Sequence, residues 1–318
     1  MINKNSKISI ITPVYQAENI IDQLVNRIIE EISKATKNFE IILVEDGSSD
    51  HSWSKILENC NLNEKIKGIK LSRNFGQHYA ISAGLKNSIG DYVIVIDCDL
   101  QENPIYFKDL IEKADTGVDI VLTEPIDRKH TSFRNIFSNL FHWLSMGLMN
   151  NNSYSYGSKY GTLSLLTKKI VKEFSKFQDY HRHYLFIINW LGFSKEIIKI
   201  KHEKRYFGLS SYSLKKLLVH ALDGIISNTD KLLRLSIYTG FCFSLIGIIS
   251  IMYIFYQYLN QGFQSGWPSI VVLIIFSTGL ILTSTGVLGL YIGRIFDQVK
   301  GRPLYIIEEK VNFNHDFS

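Results

Sequence analysis

The hydrophobic and polar positions of the first half of the chain follow a repeating pattern of short strands and longer helices. Five β-rich runs recur: KISIIT (7–12), EIILVE (40–45), IKGIKL (66–71), YVIVID (92–97) and VDIVLT (118–123). Segments of helical length lie between most of them, including residues 17–35, 77–87 and 104–114. Such alternation is typical of right-handed βαβ units around a mainly parallel sheet with both faces covered. The pattern predicts an α/β fold.

The pattern changes after about residue 205. Residues 213–227 carry apolar side chains at helical spacing, with Lys215, Lys216 and Asp223 largely on the opposite side. A stripe of this kind is typical of a helix lying on a membrane surface, although a surface helix of a globular domain has the same pattern. The segments that follow favour the membrane interpretation.

Two long apolar stretches, residues 235–259 and 269–293, come next. Each exceeds the ~20 residues that a helix needs to cross the hydrocarbon core of a bilayer. No Asp, Glu, Lys, Arg or His occurs between residues 235 and 293. Basic residues flank the pair on its outer sides: Lys231 and Arg234 before it, and Arg294, Lys300 and Arg302 after it. The positive-inside rule therefore predicts a hairpin with both flanks in the cytoplasm and a short connector outside.

Composition narrows the range of partners and compartments. The net charge of +5 is too small and too spread out to indicate nucleic-acid binding. Cys60, Cys98 and Cys242 are odd in number and lack CxxC spacing, so they indicate neither a disulfide framework nor a zinc site. The N-terminus lacks the apolar region of a signal peptide, so we expect the first domain in the cytoplasm.

The stretch VIVIDCDLQENP (93–104) ends a strand-like run in acidic residues. In an extended strand Asp97, Asp99 and Gln101 share one side, where their oxygens suit Mg²⁺ or Mn²⁺, and Cys98 faces the other side as a packing residue. Solvated acids in a turn are the commoner reading of two aspartates at this spacing. From these residues alone, both readings stay open.

Two more polar segments follow predicted strands. Pro13, Tyr15 and Glu18 come after the first strand, and Asp46 and Asp50 after the second. Ligands of such sheets bind at the carboxyl ends of the strands, so these segments and DCDLQEN are expected to converge on one crevice. Asp46 is suited to accept hydrogen bonds from a nucleobase or a ribose. Asp46 and Asp50 are equally suited to form a turn and cap the next helix, and the two roles are compatible.

Several segments, in order along nearly the whole chain, resemble motifs of glycosyltransferase family 2. They are PVYQAE, VEDGSSD, LSRNFGQHYAISAGL, VIDCDLQENP, WLGF, HEKRYFGLSSYSLKKLL, ALDGI and LGLYIGRIFDQVKGRPLYIIEE. Within the family the resemblance is to membrane-tethered polyprenyl-phosphate glycosyltransferases, related to dolichyl-phosphate mannose synthase and bacterial undecaprenyl-phosphate glucosyltransferases. One block alone would be weak, whereas the ordered series is specific.

The resemblance implies a GT-A nucleotide-diphospho-sugar transferase domain that moves a sugar, with inversion, from a nucleotide donor to a polyprenyl phosphate. It assigns donor binding to Pro13, Tyr15, Glu18, Asp46 and Asp97. It further implies that Asp97, Asp99 and Gln101 bind a divalent metal, Mg²⁺ or Mn²⁺, which bridges the diphosphate and stabilises the leaving group.

The acceptor phosphate is already anionic at neutral pH and needs positioning more than deprotonation. By resemblance, Arg128, Arg134, Arg205 and Ser210 contact this phosphate, and Arg134 and Arg205 join Asp97 and Asp99 as catalytic residues. Each arginine, taken alone, also fits a surface position. Arg73 and Asn74 belong to the family's SRNFG block without an assigned atom-level role. His181 and His183 are better read as solvent-exposed or packing residues than as bases.

The implied organisation has four parts. Residues 1–205 form the cytosolic catalytic domain, 206–234 juxtamembrane amphipathic helices, 235–293 two transmembrane helices and 294–318 a cytosolic tail. The protein is expected in the inner (cytoplasmic) membrane as a multi-pass protein with both termini in the cytoplasm. Small residues suited to close helix packing hint at a homo-oligomer; they are Gly240, Gly247, Gly286 and Gly289.

Three departures from the family pattern affect these expectations. Glu45 replaces the first aspartate of DDGS, Leu209 replaces a frequent lysine, and no acid occurs between Asp127 and Glu173. A general base from residues 154–169 is therefore not supported, and the sugar could differ from glucose or mannose. The alternatives are extension of a lipid-linked saccharide and a non-catalytic membrane scaffold. A processive polysaccharide synthase fits less well, because the chain lacks QxxRW.

Overall fold

A computed structural model of the protein describes residues 6–126, 160–180, 182–201, 203, 231–261 and 266–313. The chain divides into two compact units. Among the described residues, the first unit contains those up to 203 together with 302–313, and the second contains 231–261 and 266–301. The predicted juxtamembrane helices at 206–234 fall almost wholly outside the described residues and stay a prediction.

The first unit is built on one eight-stranded sheet with the order β7-β5-β6-β4-β1-β2-β3-β8. The strands are β1 (Ile8–Val14), β2 (Phe39–Glu45), β3 (Ile66–Leu71), β4 (Tyr92–Val95), β5 (Ile120–Pro125), β6 (Ser164–Thr167), β7 (Lys195–Ile200) and β8 (Ile307–Val311). Four pairings are parallel, namely β1–β2, β1–β4, β2–β3 and β5–β7. The other three are antiparallel. The predicted α/β fold with a mainly parallel sheet is confirmed.

Helices cover both faces of this sheet. They are α1 (Ile21–Ala35), α2 (Ser52–Leu62), α3 (Gln77–Asn87), a 3₁₀ turn (Pro104–Tyr106) leading into α4 (Phe107–Ala114), α5 (Lys168–Phe174) and α6 (Tyr184–Trp190). Alternate strand residues point to opposite faces, so Ile10 packs with α1, α2 and α4, whereas Ile11 packs with α3, α5 and α6. Burying an isoleucine side chain contributes about 1.5–3 kcal/mol. This two-sided burial explains why the strands are apolar at nearly every position.

The last strand comes from the chain that follows the second apolar stretch. β8 pairs antiparallel with β3. The Asn312 side chain donates hydrogen bonds to the carbonyl oxygens of Cys60 (2.7 Å) and Ile66 (2.8 Å), and Lys70 Nζ lies 2.9 Å from Glu308 Oε1. The sequence predicts only a tail at 294–318, and this strand within it is a finding of the structure.

The second unit contains two long apolar helices, α7 (Lys231–Gln261) and α8 (Trp267–Val299). The rings of Phe243 and Phe276 lie 5.0 Å apart where the two helices meet. Within them, Leu233–Ser250 and Phe276–Val299 are long and apolar enough to cross a membrane. Both predicted apolar helices are confirmed as helices.

Candidate active site

The order of the strands brings three of the predicted motifs to one edge of the sheet. β1 lies between β2 and β4 and runs parallel to both, with Val14 opposite Glu45 and Ile11 opposite Val95. The carboxyl ends of these strands therefore open onto the same edge, as the sequence predicts. Pro13 is buried within β1, whereas Tyr15, just beyond it, is 47% exposed.

Hydrogen bonds join the segment after β1 to the segment after β2. The backbone amides of Gln16 and Glu18 donate to Ser48 Oγ (3.0 Å) and Asp50 Oδ2 (3.2 Å). In return, the amide of His51 donates to Glu18 Oε2 at 2.8 Å. The Glu18 carboxylate thus already bridges the two loops, which fixes its place beside the crevice.

Asp50 has the structural role that the sequence left open. Its Oδ1 accepts from Ser52 N (3.1 Å) and Ser52 Oγ (2.6 Å) at the start of α2. Burial pushes the pKa of Asp50 upward, but the hydrogen bonds from Ser52 and Glu18 outweigh it and hold the pKa below its ordinary value. The turn interpretation is confirmed for this residue.

Asp46 is only 2% exposed and binds the SRNFG segment. Its two carboxylate oxygens accept from the amides of Phe75 and Gly76, each at 2.8 Å, and Asn74 Nδ2 donates to the Asp46 carbonyl at 3.0 Å. Burial raises the pKa of Asp46 to about 6, although the two amides oppose this rise. Asp46 and Asn74 therefore lock this loop to the end of β2, and a nucleoside contact from Asp46 must use its remaining lone pairs.

The turn after β2 requires glycine at position 47. Gly47 has a φ of +65°, and a Cβ there would lie 2.9 Å from Arg73 Cα and closer still to Asn74 N. Glu45, buried at the end of β2, accepts a hydrogen bond from the amide of Ser48. The longer acid that departs from the family pattern thus closes the turn of this loop.

The two aspartates of DCD lie beyond the end of β4, Asp99 in a turn, rather than in the strand. β4 ends at Val95, and Leu100 adopts a left-handed conformation with φ +57°. The strand-parity argument for Asp97 and Asp99 is therefore wrong, because the extended backbone stops before them. Asp97 Oδ1 accepts from Gln77 Nε2 at 2.5 Å, and Asp99 Oδ1 accepts from Gln101 N at 3.1 Å. An unusual backbone conformation at such a place is frequent in functional sites.

The chemistry of the side chains fits a hard divalent cation. Asp97, Asp99 and Gln101 offer two carboxylates and an amide oxygen, the ligand type that Mg²⁺ and Mn²⁺ prefer. Within the described residues there is no group of three or more His, Cys, Asp or Glu that could hold a metal. Asp97, Asp99 and Gln101 are thus a donor set of the kind that such a cation accepts.

Cys98 is a packing residue, as the sequence indicates, and His183 also packs, one of the two roles that the sequence left open for it. Cys98 packs against the core on the α1 face, and burial raises the pKa of its thiol to about 12. The His183 ring lies 4.1 Å from that of His78, and burial lowers the pKa of His183 to about 4, so the ring stays neutral at pH 7. Neither residue is poised for chemistry.

The comparisons with known proteins decide the family. The family model described as "Glycosyl transferase family 2" matches residues 9–175. The chain belongs to glycosyl transferase family 2. Together with the sheet order, this family 2 membership establishes the GT-A fold of the first unit.

Relatives of this family 2 glycosyltransferase match it over nearly their whole length. "Uncharacterized glycosyltransferase YkcC" of Bacillus subtilis (strain 168) is 31% identical over 309 residues, covering 96% of this chain and 95% of the relative. "Undecaprenyl-phosphate 4-deoxy-4-formamido-L-arabinose transferase" of Edwardsiella ictaluri (strain 93-146) is 33% identical over 315 residues, with 96% and 95% covered.

Two solved structures are similar at lower identity. Glucosyl-3-phosphoglycerate synthase from Mycobacterium tuberculosis, in complex with Mn²⁺, UDP and phosphoglyceric acid, has a TM-score of 0.47 at 15% identity, covering 72% of this chain and 78% of that one. S. aureus TarS 1-349 in complex with UDP-GlcNAc has a TM-score of 0.46 at 19% identity, with 70% and 67% covered.

The structure adds two residues that the sequence analysis of this glycosyltransferase missed, Gln77 and Glu102. Gln77 holds Asp97, and Glu102, 3% exposed, accepts from Leu163 N at 2.7 Å. Burial, with Asp97 and Asp99 nearby, raises the pKa of Glu102 well above its ordinary range. The sequence signal for Glu102 was its place directly after Gln101 in the DCDLQEN segment.

The residues predicted for the acceptor side are not among those that the structure describes. Arg128, Arg134, Arg205 and Ser210 lie outside the described residues, as do His181 and Leu209. Their roles stay predictions.

Proposed function

We propose that this glycosyltransferase moves a sugar from a nucleotide-diphosphate donor to a polyprenyl phosphate, undecaprenyl phosphate in particular, at the cytoplasmic membrane face. The observation that carries the proposal is the convergence of Asp97 and Asp99 with the segments after β1 and β2 at one sheet edge. Relatives named as undecaprenyl-phosphate sugar transferases, similar over nearly the whole chain, support the acceptor class.

The donor side of the proposal uses the residues at this edge. Pro13, Tyr15, Glu18 and Asp46 would surround the nucleoside, and Asp97, with Asp99 and Gln101, would hold Mg²⁺ or Mn²⁺ at the diphosphate. When bound, the cation neutralises charge on the leaving nucleoside diphosphate. The protein's own part is preorganisation: Gln77 fixes Asp97, and Asp46 fixes the loop that borders the crevice.

The acceptor side rests on charge and on the two apolar helices. Arg128, Arg134, Arg205 and Ser210 would position the acceptor phosphate, which attacks as an anion and needs no base. Along α7 and α8, large apolar side chains face outward, such as Leu282 at 66% exposed. Exposed apolar surface of this extent is expected of helices that lie in lipid, where a polyprenyl chain also lies.

A transfer assay tests the proposed function. Membranes containing the protein, undecaprenyl phosphate and a panel of radiolabelled nucleotide sugars should give an organic-soluble monosaccharide product that EDTA abolishes. Should every donor in a broad panel fail while the protein is folded, the proposal is wrong. Product formed only on a lipid-linked saccharide would identify the alternative, an extending glycosyltransferase.

Asp99→Ala tests the metal role within this function. We expect turnover to fall by about 10²–10³-fold, because charge stabilisation of the leaving group is lost. Titration calorimetry with UDP should show that the Mn²⁺-dependent part of binding disappears. Asp109→Ala, an exposed acid on α4, is the matched control and should behave as wild type. Undiminished wild-type activity in EDTA would contradict the metal role.

A further inference from the structure

The segment DCDLQEN does more than present Asp97 and Asp99, because its last residues bind two other segments of the first unit. Glu102 binds Leu163, and Asn103 binds Glu203. These two contacts span 61 and 100 positions of the sequence, so they are tertiary features rather than parts of a local turn.

Residues 160–163 are fitted around the Glu102 carboxyl group. Glu102 Oε2 accepts from Leu163 N at 2.7 Å, and Thr123 Oγ1 donates to Leu163 O at 2.7 Å, so both polar groups of Leu163 are bound. A Cβ at Gly161 would lie 2.8 Å from Thr123 Oγ1 and closer still to Glu102 Oε1. The absence of a side chain at Gly161 therefore makes room for the buried acid.

The register of the sheet places this contact beside the aspartates. β6 runs antiparallel to β4, with Ser164 opposite Val95. Residues 160–163 enter β6 at the edge where β4 leaves the sheet toward Asp97. Glu102 thus holds a stretch of chain that lies next to the donor-side aspartates.

A second set of hydrogen bonds fixes the position of Glu203. Asn103 Nδ2 donates to Glu203 Oε1 at 2.6 Å, and Glu203 N donates to Gln101 O at 2.9 Å. Arg27 Nη1 lies 3.6 Å from Glu203 Oε2 on the other side. Arg205, predicted to contact the acceptor phosphate, follows two positions later in the sequence.

We propose that Glu102 and the Asn103–Glu203 pair are positioning residues. They hold residues 161–163, and the chain that leads from Glu203 to the predicted acceptor residue Arg205, in register with the donor-side aspartates. The proposal rests on the proposed function for the acceptor's identity. A misplacement of about 1 Å between reacting groups can cost about 10²-fold in rate, so small losses of register have large kinetic effects. Donor binding, held by the segments after β1, β2 and β4, should change little.

Glu102→Ala and Glu102→Gln separate positioning from general damage to the fold. With Glu102→Ala we expect the acceptor KM to rise and kcat to fall, together about 10²-fold in kcat/KM. The Kd for UDP with Mn²⁺ should stay within about threefold, since few of its contacts change. Glu102→Gln keeps an oxygen for Leu163 N and should recover most of the loss. Glu40→Ala removes another buried acid, bound to Ser9 and Lys67, and should affect stability without this acceptor effect.

Amide exchange measured without substrates tests the contact itself. Glu102→Ala should speed exchange at residues 160–163 and leave β1 unchanged. If Glu102→Ala does not fold, Glu203→Ala provides the second variant, with Arg27→Ala, which spares the Asn103 bond, as its control. Glu203→Ala should then raise the acceptor KM while Arg27→Ala does not.

The outcomes are separable. Acceptor kinetics and exchange that match wild type in a folded Glu102→Ala variant overturn the inference, as does an equal loss of donor binding. A wild-type protein that transfers no sugar to a polyprenyl phosphate instead overturns the proposed function, while the exchange result still reports on the contact.

Discussion

At the scale of single residues, Asp46 illustrates how a buried carboxylate can organise a site while lowering stability. It closes the SRNFG loop through two backbone amides, yet burial raises its pKa from 3.8 to about 6. The ionised group is therefore less favourable in the folded chain than in the unfolded one. Such a cost is typical of functional positions, where geometry takes precedence over stability.

The raised pKa predicts the direction of a pH effect. Below pH 4 Asp46 is protonated in both states, and above pH 6 it is ionised in both. In between, the folded state alone holds the proton, so this group's contribution to the free energy of unfolding falls as pH rises from 4 to 6. The full change is on the order of 3 kcal/mol.

Asp46→Asn removes this titration and tests it. At pH 7 Asn avoids the cost of burying a charge, about 3 kcal/mol, but leaves one of the two buried amides without an acceptor, which costs about 1–3 kcal/mol. The unfolding free energy of wild type minus that of Asp46→Asn, measured by denaturant titration, should become more positive as pH falls from 6 to 4. A difference independent of pH would contradict the raised pKa.

Gly47→Ala tests the close approach of two loops. The new Cβ would meet the Arg73–Asn74 backbone at a left-handed φ, so we expect a loss of more than about 3 kcal/mol and weaker UDP binding. Gly117→Ala is the matched control, because Gly117 also has a positive φ, +90°, but no atom lies within 4 Å of its Cβ position. It should cost only the backbone strain, about 1–2 kcal/mol, in thermal unfolding. Equal losses in both variants would show that the crowding at Gly47 is unimportant.

At the scale of elements, the strands and helices with long buried stretches are the ones that the sequence predicts best. β3 and α3 begin and end at the predicted residues, 66–71 and 77–87, and much of each is buried in the core, including Ile69 of β3 and residues 80–85 of α3. β6 has four residues and β8 reads IEEKV, so neither carries the apolar run that identified the other strands. Asp97 and Asp99 were found through motif spacing, whereas the partners of Glu102 lie far along the chain and only the fold brings them together.

Deleting residues 307–318 should weaken the sheet at its β3 edge. The deletion removes β8 and the Asn312 hydrogen bonds and leaves β3 with unpaired backbone groups, which favour aggregation. We expect a lower midpoint of thermal unfolding in detergent and earlier light scattering. Deleting only 314–318 keeps β8 and is the control. Identical melting of both truncated proteins would mean that β8 adds nothing to stability.

At the scale of the whole molecule, the two units differ in where their apolar residues lie. The first unit buries its apolar residues between sheet and helices, while α7 and α8 expose theirs. Basic residues at both outer ends of the apolar pair predict cytoplasmic flanks.

Cysteine labelling tests this topology. In a variant without the three natural cysteines, Gly266→Cys, in the connector, should react with a membrane-impermeant maleimide in intact cells. Ser6→Cys, at the start of the first unit, should react only after permeabilisation. The reverse pattern would invert the predicted orientation, and labelling of both sites in intact cells would exclude it.

The position of β8 also has a consequence for biosynthesis. Glu308 pairs with Lys70, 238 positions earlier, so the ribosome must make both apolar helices before the sheet can receive its last strand. At about 5–20 residues per second, the β3 edge waits on the order of ten to fifty seconds without its partner. The sheet is therefore completed last, so the folding of the first unit can finish only after the apolar pair has been translated.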